Sequence, residues 1–163
     1  GAHGSNRTGR MFTGDDSGNF LTPALWRAGF ANQSTTSEMG DGLRLKNLWI
    51  TALCRCVPPD NKPTHDEIHN CRAFLEGEIA LLTHVRGIVA LGKLAFDEIL
   101  RYPIFENLTS KPIFGHGTFV ASEGKHPWLL ASYHPSRQNT QTGRLTAGMF
   151  DVIWKRVNEL LMN

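Results

Sequence analysis

Apolar residues are distributed along this chain in two alternating ways. Short, nearly continuous apolar runs occur at Leu48-Trp49-Ile50-Thr51-Ala52-Leu53-Cys54, at Gly87-Ile88-Val89-Ala90-Leu91 and at residues 128–133, the pattern of strands buried on both faces. A shorter run over 118–122 predicts a fourth strand. Between them, apolar positions recur at helical spacing. Phe20, Leu21, Leu25 and Ala28 predict a helix over 20–30 with Pro23 in its first turn. Thr64 and Glu67 form a capping box ahead of Ile68, Cys71, Leu75, Ile79 and Leu82. Residues 92–102 read as a helix stopped by Pro103, and 149–161 as an amphipathic closing helix. Strands alternating with helices imply parallel pairing and right-handed crossovers. The expected fold is therefore α/β, a three-layer α/β/α sandwich around a central, mostly parallel four-stranded sheet. No internal repeat and no low-complexity stretch interrupts it.

Two polar segments stand out against this pattern. Ser132-Tyr133-His134-Pro135-Ser136-Arg137-Gln138-Asn139-Thr140-Gln141-Thr142-Gly143-Arg144 begins where an apolar strand ends, and parallel sheets present ligands beyond the carboxyl ends of their strands. Gly1 to Gly18 reads as a glycine-rich loop carrying Phe12, a flat face for a base, with Asp15 and Asp16 close behind. The net charge of +2 is too small to indicate a nucleic-acid partner by itself. Position is more informative, because Arg7, Arg10, Arg137 and Arg144 all fall in these two segments, where they either neutralise phosphates or remain solvated. A length of 163 residues suits one domain with its own core, and no apolar run approaches a membrane span.

Taken together, the two segments resemble the paired active-site motifs of the uracil-DNA glycosylase superfamily, in particular its type-b, or family 5, branch. Thr8-Gly9-Arg10, Phe12-Thr13-Gly14-Asp15 and Ser17-Gly18 match the first motif, and His134 through Thr146 the second. Between them Arg55-Cys56-Val57-Pro58-Pro59, Asn61-Lys62-Pro63, Cys71, Val89-Ala90-Leu91-Gly92-Lys93 and Phe114-Gly115-His116-Gly117 follow in order. The resemblance implies a monofunctional glycosylase that removes uracil and other deaminated or modified bases, namely hypoxanthine, xanthine and hydroxymethyluracil, from double-stranded DNA, with single-stranded DNA also open. It makes Asp15 the carboxylate below the sugar, with a helix cap as its competing role, and His134 the donor to the departing base. Phe12 becomes the stacking platform, with core packing as its alternative. Arg10, Ser136, Arg137, Gln138, Asn139 and Arg144 become DNA contacts or organisers of the inserted loop. Ala52 stands where strictly uracil-specific relatives have an Asn that reads the base, which implies looser selectivity; Asn61 is a partial substitute or a turn residue. A strand is expected upstream of the residue aligned with Gly1. A cytoplasmic monomer is expected, with no membrane partner.

Three cysteines are too few and too odd a set for a disulfide framework. The resemblance implies that Cys56 and Cys71 are two of four thiolate ligands of a [4Fe-4S] cluster in the parent polypeptide. Zinc held by Cys56, His65, His69 and Cys71 is the competing assignment. Two other functions remain open: a damage-binding module of the same fold without chemistry, and an enzyme acting on free nucleosides or nucleotides.

Overall fold

The computed structural model describes residues 2–58, 62–106, 108, 110–121 and 127–162. They form two compact units: Gly1–Thr83 with Pro135–Arg137, and His84–His134 with Gln138–Asn163. The architecture is mixed α/β. No helix among the described residues is long and apolar enough to cross a membrane.

The first unit is helical. Helix α1 spans Ala2–Thr8, where the glycine content predicts a loop. It closes at Gly9, whose amide donates to Ser5 O at 2.8 Å and whose φ of 74° suits a left-handed helix stop. Gly4 is needed for close packing, since a Cβ there would lie 2.4 Å from Asp15 Oδ2. Helix α2, Asp16–Arg27, starts four residues earlier than the apolar spacing predicts, because Asp15 caps it through Gly18 N at 2.9 Å. Pro23 consequently lies inside the helix and not in its first turn. Leu21, Ala24 and Leu25 are its buried face. Gly29 at φ 83° ends it, with Phe30 N donating to Leu25 O and Gly29 N to Trp26 O, a Schellman arrangement. Helix α3, His65–Leu81, begins at the expected capping box of Thr64 and Glu67 and buries Ile68 and Leu75.

The run 48–54 is irregular, which corrects the expected strand. Trp49 is 61% exposed, and Thr51 and Arg55 bond instead to Glu78 on α3. An apolar run becomes a strand only when a neighbour completes its ladder, and the described residues pair no strand with it.

The second unit holds the sheet. Strand β1 is Gly87–Leu91, β2 is Phe119–Val120 and β3 is Trp128–Ser132, in the order β1-β3-β2. β1 and β3 are parallel, with Gly87 beside Trp128 and Leu91 beside Ser132; β2 is antiparallel to β3. Three strands are thus described where four were expected, and one of the two pairings is antiparallel. Leu129, Leu130, Ala131 and Ser132 are all buried, as befits the central strand. Helix α4, Lys93–Ile99, packs on β1, and helix α6, Ala147–Met162, packs on β3 with Phe150, Ile153, Trp154 and Val157 inward. A 3-10 turn at Pro103–Phe105 follows α4, and Arg137–Gln141 forms a one-turn helix, α5.

Candidate active site

In the first unit, the segment between α1 and α2 is a tight, heavily bonded turn. Phe12 takes φ 50°, a left-handed conformation that bulky residues adopt only when their surroundings impose it. Gly18 makes room for it: a Cβ there would sit 2.0 Å from the Phe12 carbonyl oxygen. Arg7 Nη2 donates to Gly14 O at 2.6 Å, and Thr8 Oγ1 donates to Gly4 O at 3.0 Å. Arg10, aimed at phosphates by the sequence reading, directs Nε to Thr13 Oγ1 at 2.9 Å and Nη2 to Thr36 Oγ1 and Asp41 Oδ2, both at 2.7 Å. Burial pushes the Asp41 carboxyl up, but the Arg10 hydrogen bond, the Ser37 and Leu43 amides and the Arg10 charge together hold it well below the usual carboxylate range. Asp15 is half-buried and uses Oδ1 as the helix cap. Asp16 is exposed, with Oδ2 3.7 Å from Arg137 Nε. Capping, the competing role the sequence left open for Asp15, therefore occupies its Oδ1.

In the second unit, His134 leaves the carboxyl end of β3. Asn139 Nδ2 donates to the His134 carbonyl at 2.9 Å, so the residue expected to organise the loop fastens the histidine backbone. Gly92, at φ 103°, lies beside the histidine, where a Cβ would come 3.3 Å from His134 Cβ. Sequence reasoning gave His116 no role, yet its Nδ1 accepts the Tyr133 amide at 3.2 Å and its Nε2 faces Met149 O at 3.3 Å. The tautomer protonated on Nε2 satisfies both contacts and braces the strand end one residue before His134. The sequence signal was Phe114-Gly115-His116-Gly117, a glycine-flanked histidine. Arg144 stacks on Tyr133, with Cζ 4.8 Å from the ring centre. Ser136 is half-buried, while Arg137 and Gln138 are exposed.

The sequence model of the uracil-DNA glycosylase superfamily matches residues 1–158. The chain belongs to this superfamily. It is 52% identical over 151 residues to a type-5 uracil-DNA glycosylase of Thermus thermophilus, covering 92% of this chain and 67% of that one. A type-5 uracil-DNA glycosylase of Mycobacterium tuberculosis is 48% identical over 160 residues, 98% of this chain and 59% of its own length. One from Pyrobaculum aerophilum is 40% identical over 155 residues, 95% of this chain and 66% of its own. The chain thus spans roughly three-fifths to two-thirds of the length of these relatives.

Other residues singled out from the superfamily motifs lie elsewhere in the chain. Ala52 is half-buried in the irregular stretch and not at a strand end. Asn61 lies outside the described residues. Of the cysteines, Cys54 is half-buried, and burial, then Cys71, Glu67 and Cys56, push its thiol up to about 11. Thiols are the right donors for an iron–sulfur cluster, but three cysteines cannot fill four positions. Among the described residues no group of three or more His, Cys, Asp or Glu side chains is arranged to hold a metal ion. A complete cluster does not fit these residues alone. The zinc alternative fails too, because His65 and His69 are exposed on α3 and form no such group with Cys56 and Cys71.

Proposed function

We propose that this protein is a monofunctional DNA glycosylase that starts base excision repair by hydrolysing the N-glycosidic bond of uracil, hypoxanthine, xanthine and hydroxymethyluracil in DNA. The observation that carries the reading is His134, fastened by Asn139 at the carboxyl end of a buried strand, in a chain whose relatives bear the name uracil-DNA glycosylase.

Breaking the C1′–N bond sends its electron pair to the base and leaves a cationic sugar. Asp15 stabilises that cation and orients a water, which adds hydroxide to C1′ and loses a proton. His134 donates a hydrogen bond to the base oxygen on which charge develops. Phe12 stacks on the extruded base, and Arg137 and Gln138 fill the vacated stack, offsetting the few kcal/mol that flipping costs. Ser136, Asn139 and Arg144 support the phosphate contacts and the inserted loop. The small Ala52, with Asn61 as an incomplete substitute, leaves the pocket without a bidentate reader, which accounts for the breadth of bases. With no lysine in either motif, the product is an abasic site in an unbroken strand.

The same reading includes a single, monomeric glycosylase domain of three-layer α/β/α form with a four-stranded sheet, acting in the cytoplasm on double-stranded DNA and on single strands. It also assigns Cys56 and Cys71 as two of the four thiolates of a [4Fe-4S] cluster, through which no step of the hydrolysis passes.

The test is base release by the full-length protein from duplexes carrying uracil or hypoxanthine, with His134→Ala as control. Release from both, reduced at least 100-fold in the variant, is expected. Binding without release from either would make it a damage-binding module.

A further inference from the structure

Asp41 lies in a polar stretch to which the sequence reading gives no chemistry, yet its carboxylate accepts hydrogen bonds from Arg10 and from two backbone amides. Its side chain is only 9% exposed. Oδ2 accepts the Ser37 amide at 2.8 Å and Oδ1 the Leu43 amide at 3.0 Å, so backbone from both sides fixes its position. Arg10 docks onto this fixed anion at 2.7 Å and reaches Thr36 with the same Nη2. Its Nε holds Thr13, whose fully buried hydroxyl lies 3.1 Å from that of Thr36. Three of these contacts, Arg10 to Asp41, Arg10 to Thr36 and Thr13 to Thr36, join residues 10–13 to residues 36–41. Between Arg10 and Thr13 sits Phe12 in its left-handed conformation, and Gly14 at φ 74° leads directly to Asp15.

We propose that Asp41 is a positioning residue for base excision, acting through Arg10 to hold the turn that carries Phe12 and Asp15. The proposal rests on the glycosylase reading of those two residues. A planar guanidinium engaged along two edges transmits orientation as well as charge. Strained conformations persist only where the surroundings over-determine them, and this brace ties both sides of Phe12 to residues 36–41. Arg10 on this view stiffens the motif and is not one of its phosphate contacts.

The test uses full-length Asp41→Asn, Arg10→Ala, Arg10→Lys and the Asp41→Asn/Arg10→Ala double variant on a uracil duplex. Single-turnover base release is expected to fall roughly 10- to 100-fold in each, as displacements of about 1 Å do. Affinity for the duplex and the slope of its logarithm against log salt should stay within error of wild type. The double variant should be no worse than the poorer single one. Arg10→Lys keeps the charge without the fork and decides the matter if Asp41→Asn does not fold. Hydrogen exchange of the amides of residues 11–15 should quicken in both. Unchanged base release, or a salt slope shallower by about one unit in Arg10→Ala, overturns the proposal. If wild-type protein releases no base, the glycosylase reading fails by itself. The exchange arm then still decides whether Asp41 holds the turn, and unchanged exchange sinks it.

Discussion

At the scale of single residues, two glycines do work that no side chain could replace. Gly18 lets the Phe12 carbonyl oxygen come to within 2.0 Å of where a Cβ would stand, deep inside van der Waals contact, and the clash would be with backbone, which cannot swing away. Gly18→Ala is expected to lower stability by about 1–3 kcal/mol, read as a lower urea midpoint at unchanged slope. Gly92 has a gentler contact with His134, at 3.3 Å, but its φ of 103° makes any side chain costly there. Asn139→Ala frees the His134 carbonyl without touching the ring; base release should fall roughly 10-fold while the melting temperature shifts little. The Asp15 helix cap and the Asn139 contact that organises the loop were legible in the sequence. His116 and Asp41 were not, because their partners are a backbone amide 17 residues away and a guanidinium 31 residues away.

At the scale of elements, local signals succeed where the chemistry is local. The Thr64–Glu67 capping box closes as its spacing predicts, with Glu67 N donating to Thr64 Oγ1 at 3.2 Å and Thr64 N to Glu67 Oε2 at 2.7 Å. Thr64→Ala should destabilise α3 by about 1 kcal/mol, seen as faster hydrogen exchange in its first turn. Apolar periodicity misplaced the start of α2, since Asp15 and the polar first turn carry no hydrophobic signal while Pro23 suggested a later one. Electrostatic ties make these elements sensitive to acid. The folded-state values of Asp41 and Glu78 are lowered, so their contribution is full above the unfolded carboxylate range, near pH 4, and is lost as pH falls through the folded values. Asp41→Asn should therefore be less stable than wild type by about 2 kcal/mol at pH 7. The two chemical-denaturation midpoints should converge as pH drops below 4.

At the scale of the whole molecule, a net charge of +2 leaves association with DNA to a few placed cations. Arg137 has a side chain 71% exposed, with Nε 3.7 Å from Asp16 Oδ2, whereas Arg144 is stacked on Tyr133. On the glycosylase reading Arg137 carries a positive charge into the duplex as it fills the vacated stack, so Arg137→Ala should weaken binding and reduce the slope of log affinity against log salt by about one unit. Sequence by itself determined the mixed α/β character, the strand that leads into His134, the Thr64 helix cap and the superfamily, because each is written in neighbouring residues or in ordered motifs. Only the tertiary structure decided that residues 48–54 run irregularly, that β2 turns antiparallel, and that Arg10 faces inward to Asp41. Those outcomes depend on which distant backbone or charge completes a hydrogen bond, and a linear pattern of apolar and polar positions holds no record of distant partners.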